Sequence, residues 1–294
     1  MDSPGFRSAS SILASSSDPP TGTNMQTKTQ RRISVSQLST LRWSFDEDVL
    51  RFANYGFGSL GIWRRKIEDF GEAEAIDLLY EHKMSASSVH WAGGFTGDGT
   101  SLKDAIDDAI SAIKLSSRVE ADCLILHPGS RNGHTNSHAK RLLETALHEL
   151  MPVAADYGVQ LALEPMLFKA SSRWTFFRRF DETIEFLNRF PSQYLGLVLD
   201  LFAIGFDDEI LEKIDSLVDR ISLVQLADRK CSAPESRLSL GHGDAPVVQW
   251  LDRLQQCGYS GRYELEIHGQ ARNELEHFEI LDQAQLFFDH LLID

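Results

Sequence analysis

Short apolar runs alternate with amphipathic stretches from Ile33 to the end of the chain. Eight of these runs predict β-strands, near 33–39, 59–64, 85–91, 123–128, 160–165, 195–200, 221–226 and 262–267. Most are continuous runs of Val, Ile, Leu and Ala rather than strict alternations of apolar and polar residues. Continuous runs are typical of parallel strands that are buried on both faces.

The amphipathic stretches predict eight helices, near 45–55, 68–83, 101–118, 136–157, 180–190, 207–219, 246–257 and 274–292. Ser44 and Glu47 have the spacing of a capping box, and Gly56, Gly158 and Gly258 stand just past helix ends. Eight strands alternating with eight helices over about 260 residues predict a single (β/α)8 TIM barrel of the α/β class. A doubly wound open sheet is the alternative, but it usually has a glycine-rich turn after the first strand, which this chain lacks.

The first 32 residues differ from the rest, being rich in Ser, Thr, Pro and Gln with almost no apolar periodicity. This composition predicts a disordered tail over 1–32, followed by one barrel domain over 33–294. The apolar cluster Ile12-Leu13-Ala14 is too short for the core of a secretory signal. A transit peptide and a true start at Met25 are alternatives for this segment.

The net charge of -14 argues against nucleic-acid binding, which normally needs a basic surface. No apolar run approaches the roughly 18–20 residues of a membrane helix, so no membrane association is expected. The 3 cysteines are odd in number and widely spaced, which fits neither a disulfide framework nor a zinc finger. We therefore expect a reducing compartment, the cytoplasm.

Four predicted strands end on a side chain that can offer an oxygen to a metal ion, namely Glu164, Asp200, Gln225 and Glu266. In a parallel barrel these strand ends meet at one mouth, where barrel enzymes hold their catalytic residues. Clustered carboxylates repel each other, and a bound cation keeps them ionised together. Hard oxygen donors predict Mn²⁺ or Mg²⁺, with Co²⁺ or Zn²⁺ as alternatives. Four solvated strand-end residues with no ion are the structural alternative.

Several short motifs, in this order, resemble the xylose isomerase-like barrel family over roughly 34–270. They are Gly61-Ile-Trp-Arg-Arg65, Leu126-His-Pro-Gly129, Ala162-Leu-Glu-Pro165, Val198-Leu-Asp200, Val224-Gln-Leu-Ala-Asp-Arg229, Gly241-His-Gly-Asp-Ala-Pro246 and Gly258-Tyr-Ser-Gly261 running into Glu266. The family holds sugar isomerases and epimerases, hydroxypyruvate isomerase and some keto-cyclitol dehydratases. The motifs are specific to the superfamily and not to one activity.

The resemblance implies that Glu164, Asp200, Gln225 and Glu266 bind one divalent metal ion. The third ligand is commonly His in the family, and Gln225 at this position looks like the hydroxypyruvate isomerases and certain dehydratases. Sugar epimerases often carry a His three positions after the Asp, where this chain has Ala203. That departure weakens the transfer of a ketohexose epimerase activity.

The mechanism that the resemblance implies also follows from the chemistry of the donors. A metal chelated by a carbonyl and a neighbouring hydroxyl acidifies the α C–H. Glu164 and Glu266, on opposite sides of the substrate, then act as proton donor and acceptor. Return of the proton gives isomerisation or epimerisation through an enediolate, whereas loss of a β-hydroxyl gives dehydration. We expect an isomerase or epimerase of a small polyhydroxy keto compound, with a lyase on a keto-cyclitol or oxidised sugar as the alternative.

Five further residues are predicted to contact the substrate: His90, His127, Arg229, Trp63 and Lys169. His127 either bonds a substrate hydroxyl or orients Glu164. Each has a structural alternative, such as core packing for His90, a surface ion pair for Arg229 or a solvated basic run beside Trp63.

Two functions from other classes remain open. Abasic-site nucleases share this barrel but need several clustered His ligands, and this chain lacks a His at position 225. A non-catalytic sugar-binding barrel is the other. The family often dimerises, so a homo-oligomer fits the resemblance, although no interface is recognisable in the sequence.

Overall fold

Eight parallel strands close into a barrel in the computed structural model, which describes residues 32–97, 99–268 and 274–290, without the side chains at 169, 170, 274 and 275. The barrel strands are β1 (Ile33–Ser36), β2 (Ser59–Trp63), β3 (Ser85–Gly93), β4 (Cys123–His127), β5 (Gln160–Leu163), β6 (Leu195–Asp200), β7 (Ile221–Leu226) and β10 (Arg262–Leu265). Two further strands, β8 (Asp228–Lys230) and β9 (Ala233–Leu238), form a separate antiparallel sheet. Hydrogen bonds join the barrel strands in the order β1, β10, β7, β6, β5, β4, β3, β2. The predicted TIM barrel is confirmed.

Helices surround the barrel and follow most of the strands. They are α1 (Phe45–Asn54), α2 (Arg64–Phe70), α3 (Glu72–Glu81), α4 (Leu102–Arg118), α5 (Asn136–Asp156), α6 (Phe180–Leu187), α7 (Leu201–Ile204), α8 (Asp208–Glu212), α9 (Val247–Gln256) and α10 (Glu274–Asp289). The predicted capping box is present at α1, where Ser44 and Glu47 cap each other. Gly158 and Gly258 adopt φ of 68° and 83° just past α5 and α9, as helix-ending glycines do.

Two predictions of local structure are wrong, and one element lies outside the predictions. The helix predicted over 68–83 is two helices, because Gly71 between α2 and α3 adopts φ of 110°, which breaks the helical path. The helix predicted over 207–219 is only α8, followed by single 3-10 turns at Ile214–Ser216 and Val218–Arg220. The antiparallel hairpin of β8 and β9 was not predicted, because its polar residues carry no apolar run.

The core lies in two places, as the continuous apolar strands require. One buried cluster fills the space between barrel and helices. A second, smaller cluster lies inside the barrel and consists of Cys123, Ile125, Ala162, Val198 and Leu223. This apolar interior lies beneath the mouth of the barrel. The polar side chains at the strand ends are therefore supported by closely packed apolar side chains.

The tail predicted over 1–32 lies outside the described residues except for Arg32. The Arg32 guanidinium donates to the carbonyl of Tyr259 at 2.8 Å and lies over the ring of Tyr263 at 5.0 Å. Arg32 therefore packs against the segment that leads into β10. No helix in the described part of the chain is long and apolar enough to cross a membrane.

Candidate active site at the barrel mouth

The four predicted metal ligands stand at the carboxyl ends of neighbouring strands. Glu164 follows β5, Asp200 ends β6, Gln225 is in β7 and Glu266 follows β10. Asp200 is in register with Gln225 across β6 and β7. All four side chains are buried, with at most 6% of the residue exposed. The fold thus gathers three acids and an amide at one end of the barrel.

The side-chain amide of Gln225 uses its nitrogen to bind one of the acids, whereas its oxygen has no hydrogen-bond partner among the described residues. Its Nε2 donates to Oε2 of Glu266 at 2.7 Å. Its Oε1 is buried, and the described residues offer it no hydrogen-bond donor. A buried acceptor without a partner lowers the stability of the fold by about 1–3 kcal/mol. A ligand that binds this oxygen would remove that cost.

Glu164 is held by a histidine on the neighbouring strand. Nε2 of His127 lies 2.7 Å from Oε2 of Glu164, and since a carboxylate only accepts, the imidazole donates. Trp91 stacks on the His127 ring, with centroids 5.2 Å apart and an angle of 27° between the planes. The ring is thus fixed from two sides, which fits the predicted role of His127 as the residue that orients Glu164.

An arginine that the sequence analysis missed lies among the acids. Arg237, in β9, donates to Asp200 through Nη2 at 2.8 Å and Nη1 at 3.4 Å, and to the carbonyl of Glu266 at 3.0 Å. Nη2 is also 3.6 Å from Oε1 of Glu266. Only 8% of its side chain is exposed. The residue comes from the unpredicted hairpin, and a lone Arg in a polar segment gives no signal in one sequence.

A second layer of polar residues lies beneath these ligands, centred on Glu264. Its Oε2 accepts from the hydroxyls of Ser87 and Ser88, each at 2.6 Å, and its Oε1 is 2.8 Å from Nε2 of His90. His90 is also 3.7 Å from Oε2 of Glu266. Among the described residues, His90, Glu264 and Glu266 are the one group of three whose candidate metal-binding atoms lie within 4.8 Å of one another.

The electrostatics of the site follow from burial and from these close charges. Burial raises the pKa of Asp200 to about 6 against the opposing effect of Arg237, and the carboxylates of Glu164 and Glu266 raise it further. Burial would lower the pKa of His90, but the carboxylates of Glu264 and Glu266 outweigh it and raise the pKa to about 9.

Glu266 behaves in the opposite way to Asp200. Burial would raise its pKa, yet the hydrogen bond from His268 and the charges of Arg237 and His90 hold the pKa well below its usual range. Nε2 of His268 lies 3.0 Å from Oε1 of Glu266. Glu266 is therefore an ionised carboxylate beside the cations Arg237 and His90.

The acids face a cavity of about 320 Å³, which we call the donor cavity. Its lining includes Glu164, Asp200, Glu266, His90, His127, Arg237, His268, Trp91, Phe168, Phe202, Arg173 and Trp174. Apolar walls with a few converging polar groups are typical of small-molecule sites. Gln225 lies beneath this cavity and reaches it through Glu266.

Of the remaining predicted substrate residues whose side chains are described, Trp63 and Arg229 do not line the donor cavity and His90 does. Trp63 lines a second cavity beside the donor cavity. The Arg229 guanidinium lies over the ring of Phe206 at 4.5 Å and that of Phe168 at 5.3 Å, and Arg229 does not line the donor cavity. The side chain of Lys169 lies outside the described residues. His90 lines the donor cavity but is bound to Glu264.

The donor set fits a divalent cation. The unpartnered amide oxygen of Gln225 is a neutral hard donor that nothing in the described protein satisfies. Burial, together with the carboxylates of Glu164 and Glu266, raises the pKa of Asp200 despite the charge of Arg237. Each carboxylate has more lone pairs than its hydrogen bonds use, so the same acids have capacity for an ion.

Comparison with known proteins agrees with this architecture. The family model described as "Xylose isomerase-like TIM barrel" matches residues 49–285. An inosose isomerase from Halalkalibacterium halodurans is 31% identical over 157 residues, which are 51% of this chain and 54% of that protein. A probable endonuclease 4 from Pediococcus pentosaceus is 25% identical over 181 residues, 57% of this chain and 60% of that protein. The chain thus matches little more than half the length of these relatives.

Solved structures show the same fold. The crystal structure of the IolI protein with a bound zinc atom superposes with a TM-score of 0.76 and covers 89% of this chain and 100% of its own, at 18% identity. At that identity the likeness concerns the fold alone. Because the family model covers most of the chain, the resemblance seen in the sequence is confirmed, and the chain belongs to the xylose isomerase-like TIM barrel family.

Proposed function

We propose that this protein is a divalent-metal-dependent isomerase or epimerase that moves a proton α to the carbonyl of a small polyhydroxy keto compound through an enediolate. One observation carries the proposal: Glu164 and Glu266 face the same small cavity from two strand ends and have different hydrogen-bond partners. A pair of carboxylates in unlike surroundings is the arrangement that acid–base catalysis requires.

Glu164, Asp200, Gln225 and Glu266 would hold the ion, with Mn²⁺ or Mg²⁺ favoured by their oxygen donors. When bound, a divalent ion supplies Lewis-acid polarisation of the substrate carbonyl. The zinc atom in the IolI structure supports a metal in this fold but does not identify the ion used here. The inosose isomerase among the relatives supports a cyclic or open-chain polyhydroxy ketone as the substrate class.

The two acids have separate tasks in this proposal. Glu266, held ionised by Arg237 and His268, accepts the α proton at a carboxylate oxygen. Glu164, fixed by His127, exchanges a proton on the other side of the substrate. Trp91 and Phe202 supply apolar wall, and an apolar surrounding strengthens the electrostatic interactions of the acids.

Solvent deuterium exchange tests this reaction. The purified protein with Mn²⁺ is incubated in D2O with a panel of ketoses, inososes and keto-glycosides, and loss of the α-proton signal is followed by NMR. We expect exchange without loss of water for at least one substrate. Glu266→Gln should lower the exchange rate by about 10²–10⁴-fold, because the positioned acceptor is lost. Glu209→Gln, an exposed site on α8, is the matched control. Near wild-type turnover in Glu266→Gln would contradict the proposal.

A dehydratase is the second candidate, and His268 is the observation that favours it. Elimination needs a proton for the departing hydroxyl in addition to an acceptor for the α proton. The His268 side chain lines the donor cavity beside Glu266 and is 38% exposed, so it can exchange protons with solvent. Loss of water from an inosose or keto-glycoside, without simple α exchange, would favour this reaction over isomerisation.

A further inference from the structure

A second cavity, of about 500 Å³, opens beside the donor cavity. It lies over the ends of β2, β3 and β4, between α2 and α4, and we call it the side cleft. Its lining is Trp63, Arg64, Arg65, Glu68, Asp69, His90, Trp91, Gly93, Gly94, Asp108, His127, Gly129, Arg173 and Trp174. None of the proposed metal ligands is among them.

The two cavities share a wall. His90, Trp91, His127, Arg173 and Trp174 line both of them. Trp91 stacks on His127 and meets Trp174 edge to face, with centroids 5.0 Å apart. His127 in turn binds the Glu164 carboxylate. The side cleft therefore lies directly beyond these rings from the donor cavity and from Glu164.

The charges of the side cleft are balanced. Three arginines, Arg64, Arg65 and Arg173, stand against three acids, Glu68, Asp69 and Asp108. His90 also lines the cleft, and its charge is paired with Glu264 beneath it. Arg64 is already engaged, since its guanidinium donates to both oxygens of Asp108 at 2.8 and 2.7 Å and to the carbonyl of Trp91 at 3.1 Å. A site for a phosphate or another anion would have an excess of unpaired cations. The balance favours a neutral ligand that both donates and accepts hydrogen bonds.

The shape of the side cleft favours a flat ring. Trp63, Trp91 and Trp174 all line the side cleft, and aromatic side chains pack against the apolar C–H side of a saturated ring while charged groups bond its hydroxyls. Part of the wall is bare main chain at Gly93, where a Cβ would lie 1.7 Å from the carbonyl oxygen of His127. At Gly94 a Cβ would meet nothing within 4 Å, so the space in front of this wall is open.

We propose that the side cleft is a subsite for a second, neutral polyhydroxylated ring. The substrate is then a keto sugar joined to another sugar ring, with the keto unit in the donor cavity and the second ring against Trp63 and Trp91. This inference rests on the proposed function for the position of the keto unit. It adds the substrate class, a glycoside of two rings rather than a free monosaccharide.

Binding of matched keto sugars tests the subsite. The probes are D-fructose, three disaccharides that carry fructose as the keto unit with different linkages (lactulose, turanose and isomaltulose), and fructose 6-phosphate. Dissociation constants are measured by titration calorimetry on the full chain with Mn²⁺. We expect at least one disaccharide to bind 10-fold or more tightly than D-fructose. The inference fails if no disaccharide binds 10-fold more tightly than D-fructose. It also fails if fructose 6-phosphate binds more tightly than every disaccharide.

Variants of side-cleft residues test whether the tighter binding of the disaccharide comes from the side cleft. Trp63→Ala should remove most of the preference for the disaccharide over D-fructose, and Trp63→Phe should keep part of it. Arg65 is exposed on α2, so Arg65→Ala tests the same wall without risk to the core; it should lower the preference several-fold. Tyr80→Ala, at an aromatic residue of α3 that is 87% exposed, is the control and should keep it. An unchanged preference in both Trp63→Ala and Arg65→Ala would overturn the inference.

Deuterium exchange separates this result from the proposed function. Exchange into a keto sugar without any two-ring preference leaves the function standing and removes the subsite. A two-ring preference that depends on Trp63, with no exchange into any probe, leaves the subsite standing and removes the isomerase.

Discussion

Arg237 and Asp200 form a buried ion pair in which both carboxylate oxygens of Asp200 face the guanidinium, at 2.8 and 3.4 Å. The pair ties the β8–β9 hairpin to the end of β6, and a further hydrogen bond from Arg237 reaches the carbonyl of Glu266. One residue from outside the barrel sheet thus holds two of the proposed ligands. It also brings a fixed positive charge into a group of acids.

Removing the guanidinium should destabilise the protein, because it leaves a buried carboxylate among other carboxylates. We expect Arg237→Met to lower the free energy of unfolding in urea by about 3–5 kcal/mol in the presence of a chelator. Mn²⁺ should recover part of this loss, since a cation that binds only the folded state stabilises it. The control is Arg253→Met, which breaks a more exposed pair with Asp215 and should have a small effect. Equal losses in the two variants would contradict this account of Arg237.

His90 gives the stability of the metal-free protein a pH dependence. Its pKa is raised to about 9 by the nearby carboxylates, above the 6.5 of an ordinary histidine. The folded protein therefore holds this proton more tightly than the unfolded chain does. The resulting stabilisation is fully present below about pH 6.5 and is lost as the pH rises through 9.

The variant His90→Gln isolates this contribution. With a chelator present, the difference in unfolding free energy between wild type and His90→Gln should fall by on the order of 3 kcal/mol between pH 6.5 and 9.5. Urea titrations at four pH values in that window measure it. His242→Gln, on an exposed loop, is the control and should follow the wild-type profile. A difference that is flat across the window, or that grows with pH, would show that His90 is not held as a cation by Glu264.

The unpartnered oxygen of Gln225 predicts how the ion binds. Gln225→Met keeps the volume of the side chain but removes its hard oxygen, so Mn²⁺ affinity should fall by at least about tenfold. Gln225→His replaces the amide by another neutral ligand and should retain binding better. Gln160→Met, at the start of β5 and away from the mouth, is the control for losing a partly buried amide. Titration calorimetry with Mn²⁺ measures all three, and equal affinity in wild type and Gln225→Met would exclude this oxygen as a ligand.

Much of the barrel could be predicted because its strands are continuous apolar runs, such as Leu195–Asp200, whose ends are marked by a polar residue. The same rule marked Glu164, Gln225 and Glu266. Local rules failed where a single glycine decides the path, as Gly71 does between α2 and α3, or where a segment is short and polar.

Arg237 could not be predicted for a different reason. Its hairpin has no apolar pattern, and its importance comes from contacts with Asp200 and Glu266, which are 37 and 29 positions away. The pairing of His90 with Glu264 spans a longer separation in sequence, 174 positions. Strand ends can be recognised one at a time, whereas partners across the barrel become visible only when the chain is folded.

Gly61 tests how firmly the layer beneath the ligands is fixed. It lies in β2, and a Cβ at this position would be 2.4 Å from Oε2 of Glu264. That oxygen accepts hydrogen bonds from Ser87 and Ser88, each at 2.6 Å. The carboxylate cannot move away from a new Cβ without breaking these hydrogen bonds. We therefore expect Gly61→Ala to lower the free energy of unfolding by about 1–3 kcal/mol, the usual range for overpacking a filled interior.

Gly58 provides a control close by in the same strand region. A Cβ there would meet nothing within 4 Å, and its backbone does not have a positive φ. Gly58→Ala should stabilise the protein by about 0.4–1 kcal/mol, because alanine restricts the unfolded chain without straining the folded one. Urea unfolding of Gly61→Ala, Gly58→Ala and wild type measures these changes in the free energy of unfolding. If Gly61→Ala unfolds at the same urea concentration as Gly58→Ala, the Glu264 side chain is free to move. The layer of polar residues beneath the proposed ligands is then not rigid.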